Sequence, residues 1–228
     1  MFLTGTLAAM SEGFHPPLEE YLEAIHELEE EGAEVIQARL AERLGHSAPT
    51  VSEMMRRLRA DGYVASSGRA VQLTPKGRAL AESVVRKHRL AERLLTDVIG
   101  LEWHKAHLEA CRWEHVISDE VEARLLEVLD HPTTCPHGNP IPGARTDQRA
   151  LVALVESKPG DAVRLERVTE QLEIDLESLT YLSEHRFTPG ADATVRTRAP
   201  DGTLTLELAE GSIALGPVLA SQLYVARL

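Results

Sequence analysis

Apolar residues recur at helical spacing through the first hundred positions. Leu18, Tyr21, Leu22, Ile25 and Leu28 share one face, which predicts an amphipathic helix over 18–30, ended by Gly32. A short helix over Gln37–Leu44 follows, with Ala38, Leu40, Ala41 and Leu44 facing inward. Gly45 and His46 make a turn. Ser47 is placed as an N-cap and Pro49 suits a first helical turn, so the next helix runs to about Ala60 over the stripe Val51, Met54, Met55 and Leu58. Residues 63–65 and 70–73 read as short strands flanking the turn 66–69. Thr74-Pro75 opens a helix expected to continue to about Ile99 and stop at Gly100, and further helices fit 102–116 and 118–130.

The pattern then changes. Residues 131–143 hold four prolines and two glycines and predict a loop, with a domain boundary near 145–155. Beyond it, 162–168 is strand-like and 170–183 helical. Residues 193–198, 203–208, 212–215 and 222–227 read as short strands joined by Asp201-Gly202 and Glu210-Gly211 turns. That pattern suggests a small β-barrel with one helix. Helix, tight turn, capped helix and hairpin, in that order, is the succession of a winged helix-turn-helix.

Composition narrows the classes. With 228 residues, 43% apolar and 26% charged, the chain can bury a core and is not a disordered protein. No apolar run reaches the roughly 18–20 residues of a membrane helix, and the start, Met1 to Leu7, lacks the basic stretch of a secretory signal. Two cysteines cannot make a disulfide framework, which points to a reducing, cytoplasmic setting. The net charge of −12 argues against nucleic acid until it is resolved along the chain. Residues 1–32 carry eight acids and no Lys or Arg, whereas 33–95 carry twelve bases against six acids. That basic block coincides with the winged-helix pattern, the electrostatic footprint expected of DNA binding.

The second helix of such a pair enters the major groove by its N-terminal end. Ser47, Thr50, Ser52 and Glu53, with Pro49 among them, lie on its first turns, and Arg56, Arg57, Arg59 and Arg69 can neutralise phosphates. Glu53 repels phosphate but can accept a hydrogen bond from cytosine N4. One winged module covers little DNA, so specificity calls for a dimer on a two-fold symmetric site.

A second chemistry lies further on. His88 and Glu92 are i, i+4; Cys111, Glu114 and His115 are i, i+3 and i+4; His107 sits one turn before Cys111. Two helices thus each carry donors at ligand spacing, as a metal site between packed helices requires, and helix 18–30 adds Glu19, Glu20 and Glu23. Each feature also has a structural alternative: a surface salt link, a small core cysteine, a solvated acidic face.

With these residues assembled, the chain resembles the diphtheria-toxin-repressor family of iron- and manganese-dependent transcriptional regulators. The resemblance rests on Glu20-Tyr21-Leu22, Ser47-Ala48-Pro49-Thr50-Val51-Ser52, the run from Arg86 to Leu95, the run from Glu109 to His115, and Gly138-Asn139-Pro140-Ile141-Pro142-Gly143. It implies a mainly α fold of three parts: a winged helix-turn-helix over 1–76, a helical metal-binding and dimerisation domain over 77–148, and an SH3-like small β-barrel over 149–228. It implies two metal sites. His88, Glu92 and His107 match the ancillary one. Cys111, Glu114 and His115, with Glu20 before the tyrosine, match the regulatory one. Iron-responsive members carry methionine at that position and manganese-responsive members an acid; Glu23 matches a second acid of the manganese type, whereas Cys111 follows the iron type. Carboxylate donors favour Mn²⁺, with Fe²⁺ as the alternative and Zn²⁺ or other divalent ions as substitutes in vitro. Asp175 and Glu177 are candidate ligands from the barrel.

The resemblance therefore implies a cytoplasmic homodimeric repressor of metal-uptake genes that binds an operator in double-stranded DNA with the metal as corepressor, and no membrane. A zinc hydrolase is disfavoured because no His-Glu-x-x-His is present and no general base is evident. The remaining alternative is a winged-helix regulator of a small organic ligand.

Overall fold

A computed structural model describes residues 17–145 and 150–228. The expectations about the N-terminal start and about part of the 144–150 connection lie outside those residues. The chain divides into two compact units, each assembled from separated segments. Among the described residues, the first comprises 17–88 and 111–122, the second 89–110, 123–145 and 150–228.

In the first unit, α1 (Pro17–Glu30), α2 (Gln37–Leu44) and α3 (Ala48–Ala60) precede a hairpin of β1 (Val64–Ser67) and β2 (Ala70–Leu73). The helices bury the stripes that their spacing announces: Leu22, Ile25, Leu40, Val51, Met55 and Leu58 are all fully enclosed in one core. Each such side chain contributes about 1.5–3 kcal/mol relative to exposure. Gly45, at φ 64°, closes α2 in the left-handed region, and its N–H reaches the Ala41 and Glu42 carbonyls, which permits the abrupt turn into α3. The wing is tighter than expected. The strands extend to Ser67 and Ala70, which pair directly, so that two residues, Gly68 and Arg69, make the turn. The Val71 N–H donates to the Val35 carbonyl at 2.8 Å, fastening the wing to the α1–α2 connection.

The long helix departs from expectation. α4 (Pro75–Arg93) is α-helical only to Arg93, and residues 94–99 form a wider π-turn. The Thr96 hydroxyl donates to the Glu92 carbonyl at 3.0 Å, and the Leu101 N–H bonds back to Leu95. A side-chain donor inside the ladder is one recognised cause of such a bulge. The helix expected over 102–116 is a 3₁₀ turn at Trp103–Lys105 followed by α5 (Ala106–Trp113), and α6 (Asp119–Val128) is two residues shorter than its pattern at the C-terminal end.

The second unit carries a six-stranded antiparallel sheet in the order β3-β8-β4-β5-β6-β7. Its strands are β3 (Val152–Ala153), β4 (Ala162–Val168), β5 (Asp192–Arg198), β6 (Leu204–Leu208), β7 (Ser212–Leu215) and β8 (Leu223–Arg227). Alternate residues Val163, Leu165, Val195, Leu204, Leu206, Ile213 and Leu215 fill its core with Leu179, Leu182 and Phe187. The single helix expected over 170–183 is broken. α7 (Glu170–Glu173) ends at Ile174, and Asp175 then caps α8 (Leu176–Glu184), accepting from the Ser178 N–H at 3.1 Å. A short α9 (Pro217–Ser221) precedes β8.

Candidate metal centres and nucleic-acid interface

α3 presents its outer face to solvent. Ser47 caps it, its Oγ accepting from the Thr50 N–H at 3.3 Å and lying 2.8 Å from Thr50 Oγ1. Pro49, Thr50, Ser52, Glu53, Arg56, Arg57 and Arg59 are exposed on it, and Arg69 is exposed at the tip of the wing. Arg56 donates to Glu53 Oε2 across one helical turn. At the entrance to α3, Tyr21 Oη lies 2.8 Å from His46 Nδ1. α1 and the turn preceding the N-cap are thereby joined by one polar contact.

The first donor cluster belongs wholly to the first unit. His88 Nδ1, from α4, lies 2.5 Å from Glu114 Oε2, just beyond α5. Glu114 Oε1 lies 3.0 Å from His115 Nε2, and His115 Nδ1 lies 2.7 Å from Glu19 Oε2 on α1. Ligand atoms of Glu23, His88 and Glu114 all fall within 4.8 Å of one another. Burial pushes the Glu23 carboxyl well above the carboxylate range, and Glu114 and Glu27 add to the rise against the pull of His88. Glu114 goes the other way. Burial opposes its charge, but the His88 and His115 imidazoles together hold it below the usual range. His115 is raised: burial works against its cation and the Glu114 and Glu19 carboxylates outweigh it. Two carboxylates held at one spot with an imidazole, one of them forced towards protonation, fit a divalent cation, whose charge would relieve that repulsion.

The second cluster lies in the second unit. Ligand atoms of Glu92, Cys135 and His137, all buried, fall within 4.8 Å of one another. His137 Nδ1 is 3.1 Å from both Glu92 Oε1 and Glu173 Oε2. His107 Nδ1 is 3.0 Å from Glu173 Oε2, 3.5 Å from Glu92 Oε1 and 3.8 Å from Glu170 Oε2. An outer layer fixes these groups. The His137 Nε2–H donates to the Trp103 carbonyl at 3.2 Å, which turns Nδ1 inward as the ligating nitrogen. The Asn139 amide donates to Glu173 Oε1 at 2.6 Å, and Arg89 donates to Glu170 Oε1 at 2.8 Å and also to the Pro140 carbonyl. Arg93 donates to the Thr134 and Cys135 carbonyls at 2.7 and 3.2 Å, holding the loop that carries the thiol. Burial, with Glu92 beside it, pushes the Cys135 thiol up to about 12. The His137 imidazole is raised although burial opposes its charge, because Glu173 and Glu92 stand against it. Thiol, imidazole and carboxylates at one buried point, with His137, Glu173 and Glu170 fixed by outer hydrogen bonds, are a donor set for a borderline divalent metal.

The structure thus gathers Glu23, His88 and Glu114, with His115 alongside, in one unit, and Glu92 and His107 in the other. Cys111 is partly exposed one turn before Glu114 and makes the smallest contribution to the rise at Glu23. Glu20 is partly buried and, after burial itself, helps raise the Tyr21 hydroxyl. From α1, Glu19 touches His115. Cys135, His137, Glu170 and Glu173 escaped the sequence reading, in which 131–143 was simply a loop. The signal was a Cys-x-His pair inside it and two glutamates at i, i+3 in the following helix. Asp175 caps α8, and Glu177 is exposed on that helix.

A winged helix-turn-helix with a basic, solvent-facing second helix, joined in one chain to two sets of buried metal donors, defines a metal-responsive DNA-binding regulator. Comparison with known proteins agrees. The iron-dependent repressor N-terminal DNA-binding domain matches residues 14–70, the iron-dependent repressor metal-binding and dimerisation domain residues 74–143, and the FeoA domain residues 152–227. The iron-dependent repressor IdeR of Mycobacterium tuberculosis is 48% identical over 200 residues, covering 82% of this chain and 86% of that protein. The diphtheria toxin repressor of Corynebacterium efficiens is 48% identical over 187 residues, covering 78% and 81%. A solved manganese-dependent transcriptional repressor in complex with manganese superposes with TM-score 0.82 at 32% identity, covering 92% of this chain and all of that one. The chain belongs to the diphtheria-toxin-repressor family of iron-dependent repressors. It is a metal-dependent DNA-binding repressor, not an enzyme, with an SH3-like C-terminal domain. Among the described residues, no helix is long and apolar enough to cross a membrane.

Proposed function

We propose that this chain is a cytoplasmic homodimer that represses metal-uptake genes, with Mn²⁺ as the preferred corepressor and Fe²⁺ as the nearest competitor. The observation that carries the reading is the convergence of Glu23 from α1 with His88 and Glu114. α1 is part of the winged-helix core, so an ion held by Glu23 and Glu114 would tie that core to the segment 111–122. Glu23, Glu114, His88 and His115 are the proposed ligands of this regulatory centre, with Cys111, Glu19 and Glu20 completing it. Glu92, Cys135, His137 and His107, with Glu170 and Glu173, are the proposed ligands of a second centre. A bound divalent ion supplies positive charge to both. The chain's own residues orient the donors and exclude water.

The preference for Mn²⁺ follows from carboxylate oxygens dominating the first cluster; the thiol of the second widens the range of ions that bind there. Ser47, Pro49, Thr50, Ser52, Glu53, Arg57 and Arg69 would meet the operator, with Arg56 and Arg59 on the phosphates. Because coupling is reciprocal, DNA must tighten metal binding as much as metal tightens DNA binding, and about 1–3 kcal/mol, or 5- to 150-fold, makes a usable switch. The test is fluorescence anisotropy of a duplex operator pool with Mn²⁺, Fe²⁺, Zn²⁺ or chelator at fixed salt, on the wild type and on Glu23→Ala with Glu114→Ala. Metal-dependent affinity that disappears in the double variant supports the reading; metal-dependent affinity that survives it overturns the route through this centre.

A further inference from the structure

The outer stripe of α3 holds a carboxylate at a place where DNA readers are expected to be cationic or neutral. Pro49, Ser52, Glu53, Arg56 and Ala60 lie on one exposed face, opposite the buried Val51, Met55 and Leu58. Glu53 lies on the second turn, within reach of base edges if the N-terminal end of α3 enters a major groove. A bare carboxylate there would be repelled by two rows of phosphates. It is not bare. Arg56 donates to Glu53 Oε2, while both side chains remain in solvent at 54% and 73% exposure. The guanidinium offsets the local charge and engages Oε2, which leaves the second carboxylate oxygen, Oε1, as an acceptor for a base.

An acceptor-only group on a groove-facing helix selects a base that offers a donor there. The C4 amino group of cytosine is a donor, and neither guanine nor thymine presents one in the major groove. Adenine offers N6–H₂ as well, but beside the N7 acceptor, which a carboxylate disfavours and the amide of glutamine matches. We infer that Glu53, held by Arg56, is a specificity-determining residue that reads one cytosine in each operator half-site. This rests on the DNA-binding reading of α3 given above and adds to it the identity of one base.

The experiment is selection of duplexes from a random-sequence library with Mn²⁺ at fixed salt. The full-length wild type is compared with Glu53→Gln, Glu53→Ala and Arg56→Ala. Anisotropy titrations then use the selected duplex and copies altered at one base pair. The expected result is one position per half-site at which the wild type selects cytosine, Glu53→Gln selects adenine and Glu53→Ala selects nothing, with every other position unchanged. Replacing that cytosine costs the wild type about tenfold in affinity and the alanine variant less than twofold. Arg56→Ala bares and frees the carboxylate, so every duplex binds more weakly and the penalty for replacing the cytosine shrinks, while cytosine stays the preferred base. If the Gln and Ala variants select the wild-type base at every position, the Glu53 inference is overturned while the DNA-binding reading stands. If the wild type selects no duplex with metal present, both fall. Glu53 and Arg56 are both exposed, so circular dichroism melts of the four chains should coincide within a few degrees, which ties any change in selection to contact with the base.

Discussion

The two donor clusters contain similar residue types but are built differently. The cluster around Glu92, Cys135 and His137 is pre-formed. His137 is set by the Trp103 carbonyl, Glu173 by Asn139, Glu170 by Arg89, and the thiol-bearing loop by Arg93. The cluster around Glu23, His88 and Glu114 is tied together by its own members: His88 and His115 both meet Glu114, and the Glu23 carboxyl is pushed towards protonation by burial and then by Glu114 and Glu27. The first arrangement suits an ion that stays. The second suits an ion whose arrival changes the balance of forces, because the repulsion it relieves lies between α1 and the segment after α5. The two clusters thus differ in what anchors their donors: loop, arginine and amide contacts in one, histidine–carboxylate contacts in the other.

The strongest way to break this contrast is Glu114→Ala. It leaves His88 and His115 without their shared anion, and Mn²⁺-dependent DNA affinity should fall by about a hundredfold in anisotropy titrations. A second change of comparable size is structural. Gly138 has φ +90°, and a Cβ there would approach the Glu166 carbonyl to 1.9 Å. Gly138→Ala should therefore displace the Cys135–His137 loop, lower stability by about 2–4 kcal/mol in urea melts and abolish metal binding at the second cluster while sparing the first. Cys135→Ala with His137→Ala should remove one equivalent of Mn²⁺ in equilibrium dialysis and reduce metal-dependent DNA binding less than Glu114→Ala does.

Tyr21→Phe removes the contact with His46 and nothing else polar. DNA affinity in saturating Mn²⁺ should drop about fivefold, with metal affinity in the absence of DNA unchanged. The smallest effect concerns pH. A metal at the second cluster must displace protons from a thiol raised to about 12 and from an imidazole raised above its ordinary value. Ion affinity there should climb as pH rises from 6 to 8 and fall as it is lowered, by calorimetry in buffers of matched ionisation heat.

Much of this was legible in the chain. The period of Leu22, Ile25 and Leu28, the Ser47 cap and the alternation of Val163 and Leu165 each state a local preference that the tertiary structure keeps. What failed was local competition and long range. Nothing in the apolar pattern of 75–99 reveals that the Thr96 hydroxyl will enter the ladder, and Asp175 cuts a continuous helical pattern because its side chain caps better than it extends. His88 and Glu92 share a helix face by spacing, yet their short contacts are with groups 26 and 45 positions away, Glu114 and His137. Cys135 was invisible as a donor because ligand spacing is read along helices, and this one sits in a loop whose shape depends on Arg93, 42 positions earlier.

The threading of the chain has a consequence for its modularity. The first unit is closed by residues 111–122, which are made only after the second unit has been opened by 89–110. A fragment ending after the wing and before Cys111 carries the whole proposed DNA-reading surface but none of Cys111, Glu114 and His115. Recombination that shuffles winged helices at the hairpin would therefore yield readers deaf to metal. Loss of everything after 145 would leave those three residues in place but remove Glu170 and Glu173, the partners of Arg89, His107 and His137, so the SH3-like part is built into the second cluster rather than appended to it.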